Sequence, residues 1–348
     1  MIVYIAIIFF LLCFILIEKT LKVYYFRRMF FIILILISGL RYYVGSDYKL
    51  YKKVYESFPK DKFSEYLFNI FIIIFRYFNL NYQVLIFILS FITLSFIYIF
   101  FNKIDKEFFW VYSFLFIIDG YYFETFNIMR QYLGLSIFLL SMICHNKWTK
   151  YLCFYVAIGI HKSIFLLVIG SIVFNTKIYK KIRKKVILFF IILGALNIKF
   201  NLINYIYYLI YNLLPRSYQL YVYSIHDIES KIEGTGLGIL FRIMIFCIIF
   251  YFSKNYFKNK SSTKNNLCLN FYFYGEVLYL FSFTSLILRR VSTLFTFFSI
   301  VLLPNIFLRD NDARKKYIFI FIIIVKILLF IKFLNYELIK QYLVYRIR

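Results

Sequence analysis

Residues 82–101 read YQVLIFILSFITLSFIYIFF, a run without a single Asp, Glu, Lys, Arg or His. Coiled as an α-helix, a run of this length covers about 30 Å, the thickness of a bilayer's hydrocarbon core. Outward from it the same signal recurs at 1–17, 29–40, 108–118, 127–145, 186–198, 236–252, 267–288, 291–308 and 317–334. The shorter runs reach spanning length only by extending into their flanking aromatics. The composition agrees: 63% of the residues are hydrophobic and 17% are charged, against roughly a quarter charged in soluble domains. A soluble globular protein is excluded, and the expected class is an all-α polytopic membrane protein.

The formal charge is +26, which in a soluble chain would point to nucleic acid. Here it reports topology and contact with anionic lipid, so membrane lipid is an expected partner and nucleic acid is not. The connectors 18–28, 102–107, 145–150, 175–185, 253–266 and 309–316 hold 22 basic residues in 56 positions; 41–66, 119–126 and 198–235 hold 9 in 72. By the positive-inside rule the second set forms the outer loops, and the N-terminus is outside. The first 17 residues lack a charged start and a small-residue cleavage site, so they read as a retained helix. Cys13, Cys144, Cys153, Cys247 and Cys268 have no C-x-x-C spacing and imply neither a disulfide framework nor a metal site.

Two segments break the alternation. The stretch 151–174 lies between two connectors that should both be cytoplasmic, so a hairpin of two short helices turning at His161-Lys162-Ser163 is expected. The stretch 67–80, which contains Arg76, reads as a half-helix or interfacial helix, and 200–215 could also lie along the interface. The expectation is one domain, 1–348, of about ten transmembrane helices with re-entrant or interfacial half-helices.

Charge inside a membrane is costly and collects on cavities, which singles out four places. Arg41-Tyr42-Tyr43-Val44-Gly45-Ser46-Asp47-Tyr48, followed by Tyr51, closes the second run, and Gly45 permits a turn that would carry Arg41 and Asp47 over the helix end. Asn127, Arg130 and Gln131 open the run 127–145 at i, i+3 and i, i+4 spacing, so one helix face is expected to hold all three. His161 and Ser163 sit at the expected reversal. Arg289-Arg290 lies between two apolar runs on the outer side, and guanidinium forks suit a diphosphate. Each place also has a structural reading: a loop salt bridge, a helix cap with a snorkelling arginine, a satisfied core histidine, a lipid-headgroup contact. Glu276, Arg242 and Lys326 lie within spans as single charges with no partner in view, and read as structural residues or helix ends.

By the parity argument all four places face the outer half of the membrane. A cavity that gathers them carries surplus positive charge and calls for an anionic ligand, most economically a lipid-linked phosphate or diphosphate. Too few acids converge to require a divalent metal, and no cofactor is expected.

The ordered set R-x-x-V-G-S-D-Y-x-x-Y from Arg41, F-N-x-x-R-Q-x-L from Phe126, G-I-H-K-S from Gly159, the glycines Gly234, Gly236 and Gly238, and a late arginine before an apolar run ending at Pro304 resembles the EpsG-like branch of Wzy-type polysaccharide polymerases. The resemblance spans 41–304. It implies an enzyme of the bacterial inner membrane, GT-C-like in broad architecture, that joins O-antigen, capsule or exopolysaccharide repeat units on undecaprenyl diphosphate at the outer leaflet. A chain-length regulator and a flippase would be its protein partners. Carried over by position, the signature is Arg41, Gly45, Asp47 and Tyr48, then Asn127, Arg130 and Gln131, then His161 and Ser163, with Arg289 or Arg290 as the late arginine; Lys162 stands where relatives often have an aromatic or small residue. In that chemistry Arg130 and Arg289 or Arg290 would neutralise developing diphosphate charge. His161 or Asp47 would take the acceptor proton, His161 being preferred. Arg41, Tyr48, Asn127, Gln131 and Ser163 would bind substrate. A lipid-linked oligosaccharide flippase, a sugar or ion transporter, an O-antigen ligase and a membrane O-acetyltransferase are the alternatives. A flippase needs polar groups along its whole path, and a transporter repeat symmetry.

Overall fold

The computed structural model describes residues 2–22, 24–200, 202, 205, 237–259, 263–282, 286–310 and 312–339. The regular elements among the described residues are helices: α1 (Ile2–Leu21), α2 (Tyr25–Gly39), α3 (Tyr48–Ser57), α4 (Tyr66–Tyr77), α5 (Tyr82–Ile104), α6 (Phe109–Ile118), α7 (Tyr121–Asn127), α8 (Met129–Ile143), α9 (Lys147–Ile160), α10 (Ile164–Val173), α11 (Lys177–Phe200), α12 (Leu237–Asn259), α13 (Thr263–Phe281), α14 (Leu286–Thr296), α15 (Ser299–Phe307) and α16 (Ala313–Ile339). Four stretches are long and apolar enough to cross a membrane, Val3–Leu21, Tyr82–Ile104, Ile287–Phe307 and Ala313–Asn335, and five shorter apolar helices accompany them. The chain is thus an all-α polytopic membrane protein. Rows of exposed Ile, Leu and Phe on α1 (Ile5, Phe9, Leu16) and α16 (Ile320, Ile324, Leu328) would be untenable in water and suit acyl chains.

Two compact units are present, Met1–Val168 with Ile323–Arg348, and Ile169–Ile322. In the first, α5 is the central post: α2, α3, α6 and α8 pack on it, α9 packs on α8 and α4, and α1 closes on α2 and α6. Leu34 of α2, Leu89 and Phe101 of α5 and Leu133 of α8 are buried in its core. A buried hydroxyl pair, Ser38 Oγ to Ser90 Oγ at 2.9 Å, pins α2 to α5, the kind of polar contact that fixes helix register in lipid. At the opposite end of α2, Arg27 donates to both oxygens of Glu18 (2.6–3.1 Å) and to the Lys106 carbonyl, joining α1, α2 and the approach to α6. In the second unit, α13 pairs with α14 and also contacts α11, α12 and α15.

Several sequence expectations change here. The connector 119–126 is no loop: after Gly120, whose φ of +80° suits a residue without Cβ, α7 forms with Tyr121, Tyr122, Phe123 and Phe126 buried. The run 127–145 does not begin as one helix, because Ile128 (φ −112°, ψ 56°) breaks α7 from α8. The connector 41–66 contains the amphipathic α3, and the apolar run 291–308 is interrupted between α14 and α15. The break at His161-Lys162-Ser163 is where expected, yet the first turns of α10 do not fold back along α9 as a hairpin would. α8 and α4 pack on α9, with Leu67 against Gly159, while Ile164 at the start of α10 lies against Gly134 of α8. The even number of passes read from the charge pattern is therefore not supplied by a hairpin here. As expected, α4 is a short half-helix: Arg76 near its C-terminus donates to the carbonyls of Tyr55 and Glu56, and Asn69 near its start bonds Phe63. Most of 198–235 and the glycines Gly234 and Gly236 lie outside the described residues.

The span charges read as solitary have partners. Lys326 Nζ lies 2.6 Å from Asp119 Oδ1, both side chains largely enclosed, and Arg242 Nε donates to Glu276 Oε2 at 2.5 Å while stacking on Tyr279. A charge in a helix bundle is tolerated when a neighbouring helix supplies its counter-ion.

Candidate active site

The sequence Arg41 to Asp47 leaves α2 and enters α3 through a tight turn. Gly45 adopts φ +105°, and a Cβ there would fall 2.5 Å from the Phe126 carbonyl oxygen, so the turn lies directly against the α7–α8 break. Asn127 holds it from the other side: its Oδ1 accepts the Ser46 main-chain N–H at 2.9 Å. Gln83 of α5 donates to the carbonyls of Gly39 (2.7 Å) and Arg41 (3.0 Å), satisfying groups that the end of α2 leaves open.

Within this frame the predicted residues divide by accessibility. Arg41 is fully enclosed and directed into the bundle, where its guanidinium donates to the Ser38 carbonyl, to Ser38 Oγ (3.0 Å), to Ser90 Oγ (3.2 Å) and to Met129 Sδ, and stacks on Phe126. Tyr48 is equally buried, its ring against Tyr42, Tyr43 and Tyr82 and its hydroxyl on Gln83; burial pushes its phenol up, which keeps it neutral. Gln131 is buried on α8. All three side chains are enclosed. Asp47, Arg130, His161 and Ser163 retain partial exposure.

Arg130 occupies an aromatic cage. Its guanidinium carbon lies 3.9 Å from the centre of the Phe63 ring, 5.4 Å from Tyr51 and 5.6 Å from Phe68, and its Nε donates to the Tyr51 hydroxyl at 3.2 Å. Its Nη1 donates to Oε2 of Glu65, the residue just ahead of α4 and 6% exposed. The expectation of one helix face with Asn127, Arg130 and Gln131 is not met, because the break at Ile128 separates Asn127 from the other two. Asn127 meets the Gly45 turn and Arg130 the cage. Glu65 was not singled out from the sequence; the signal available was an acid abutting the apolar segment 67–80 on the side assigned to the exterior.

His161 and Ser163 belong to the same end of the first unit. Leu67, two residues after Glu65, fits against Gly159, where a Cβ would fall 2.4 Å from its Cδ1, and His161 follows two residues on. Ser163 donates its main-chain N–H to His161 Nδ1 at 3.3 Å, and its Oγ lies 2.8 Å from the same nitrogen. A main-chain amide only donates, so Nδ1 is an acceptor and the neutral ring carries its proton on Nε2. In that tautomer the ring's donor is Nε2–H. In the second unit Arg289 and Arg290 are both exposed near the start of α14. Among the described residues no group of three or more His, Cys, Asp or Glu gathers at ligating distance.

A model of the EpsG family matches residues 24–347. The chain belongs to the EpsG family. The match covers all four places singled out above and the cage residues Tyr51, Phe63, Glu65 and Phe68 with them. No curated protein and no solved structure matches this EpsG-family chain.

Proposed function

We propose that this EpsG-family protein is a polysaccharide polymerase, a glycosyltransferase that joins oligosaccharide repeat units carried on undecaprenyl diphosphate at the outer face of the bacterial inner membrane. The observation that supports it most is Arg130: a caged guanidinium whose Nη2 makes no hydrogen bond among the described residues, in a unit where Asp47, His161 and Ser163 are also partly exposed. A glycosyl diphosphate leaves with its negative charge, and a fixed guanidinium stabilises that charge as it develops. Asp47 and Ser163 are the groups offered to sugar hydroxyls, and Arg289 and Arg290 are further anion contacts of the second unit. The polymerase would act beside a flippase that delivers lipid-linked units and a chain-length regulator.

The outward placement is tested with single cysteines in a background from which the five native ones are removed. Lys60→Cys, in the 41–66 connector, reacts with a membrane-impermeant thiol reagent on intact spheroplasts; Thr149→Cys, in the 145–150 connector, reacts only after permeabilisation. The opposite pattern would put Arg130 on the cytoplasmic side and end the polymerase reading.

For His161 the tautomer decides the expected result. Gln can present its amide N–H where Nε2–H stands, so His161→Gln costs about 1.5 kcal/mol, roughly tenfold in rate, and His161→Leu far more. A general base would lose about 10²–10⁴-fold in either variant. Glycan chain length in a complemented deletion strain reads the difference, and a dead His161→Gln beside normal protein abundance would restore His161 as the base.

A further inference from the structure

The Arg130–Glu65 pair is joined through one nitrogen and one oxygen. Arg130 Nη1 meets Glu65 Oε2, while Nη2 and Oε1 make no hydrogen bond among the described residues. Two buried ions held in this way leave a donor edge and an acceptor edge close together. The side chains are 16% and 7% exposed, so neither is an ordinary surface ion. Arg27 is held more fully, since it engages both oxygens of Glu18 and a carbonyl besides.

Resting on the polymerase reading, we propose that Glu65 is the general base of the transfer and that binding of the donor's diphosphate to Arg130 releases it for that role. In the resting arrangement the carboxylate is held by the guanidinium. A diphosphate competes for the same cation and is the better fit to its fork. The Arg130 charge is then shared with the donor, and Glu65 is freed toward the acceptor hydroxyl. The acceptor O–H bond breaks and its proton passes to Glu65 Oε1. The oxygen's electron pair forms the new bond to the anomeric carbon, whose bond to the diphosphate oxygen breaks. That pair leaves with the diphosphate, whose charge Arg130 stabilises, and Glu65 returns its proton to water.

The distinguishing feature is that Glu65 opposes donor binding while it enables transfer. Purified wild type, Glu65→Gln, Glu65→Asp and Arg130→Ala are titrated with farnesyl diphosphate, a soluble short-chain polyprenyl diphosphate, and the same variants are scored for polymer in a deletion strain. The expected result is that Glu65→Gln binds the probe several-fold more tightly than wild type yet loses about 100-fold or more of polymer, the range of a missing general base. Glu65→Asp, a carboxylate set back by one methylene, binds like wild type and transfers roughly tenfold more slowly. Weaker probe binding by Glu65→Gln would make Glu65 a positioning residue for Arg130 and overturn the proposal, as would retained polymer. Should Glu65→Gln fail to accumulate, wild-type transfer by Glu65→Asp overturns it equally. Equal or absent probe binding by wild type and Arg130→Ala would instead remove the polymerase reading itself, and this proposal with it.

Discussion

Arg130→Lys is expected to leave the protein at normal abundance and to abolish long polymer. A lysine at this position keeps the positive charge and can still meet Glu65, so the fold loses little. What it cannot keep is the fork: the bond from Nε to the Tyr51 hydroxyl, the face stacked at 3.9 Å on Phe63, and the Nη2 edge. An ammonium is a compact point charge that rotates and stays strongly hydrated, so it matches two phosphate oxygens less well than a planar guanidinium. If the fork acts chiefly on the departing diphosphate, the loss falls on the transition state, about 2–4 kcal/mol by analogy with removing one oxyanion donor. The measurement is glycan chain length beside the amount of monodisperse protein in detergent. Lipid-linked single repeats should accumulate. Near-normal polymer would reduce Arg130 to a lipid anchor and take the site with it.

How much of this was legible in the sequence depends on the range over which each feature is decided. The helix α5 could be read outright, because an uninterrupted apolar run is a local property. The turn at Gly45 and the break at His161 to Ser163 were also local, signalled by a glycine and by polar residues between apolar halves. The partners were not. Arg130 meets Tyr51 and Glu65 from 79 and 65 residues away, and Lys326 meets Asp119 across 207. Nothing near Lys326 or Arg242 in the chain marks them as paired, since the counter-ion comes from another helix whose rotation is set by packing. The same cause misplaced Asn127: its i, i+3 spacing to Arg130 describes one face only if the helix is continuous, and the chain breaks at Ile128, where it lies against the Gly45 turn. The hairpin at 151–174 failed for a related reason. Charge counting fixed what the connectors should do but could not show which helices pack on α9.

Arg41 gives the sharpest contrast with Arg130, and the two arginines should fail in opposite ways. Arg41 has no exposed surface, and its guanidinium bonds Ser38 and Ser90, so it ties the end of α2 to α5 as well as reaching Met129 at the head of α8. Truncation to Ala would leave a cavity the size of an arginine and strip a hydrogen-bond donor from three buried hydroxyl and carbonyl groups. Together these put the expected loss at about 3–5 kcal/mol, a large part of the stability of an ordinary domain. Arg41→Ala should therefore lose folded protein before any question of rate arises, seen as aggregation on detergent gel filtration and a sharp fall in membrane abundance. Arg41→Lys should rescue little, because one ammonium cannot span Ser38, Ser90 and Met129 at once. If Arg41→Ala instead accumulated normally and lost only polymer, the guanidinium would have to turn outward during the reaction, and the α2–α5 clamp seen here would be one of two states.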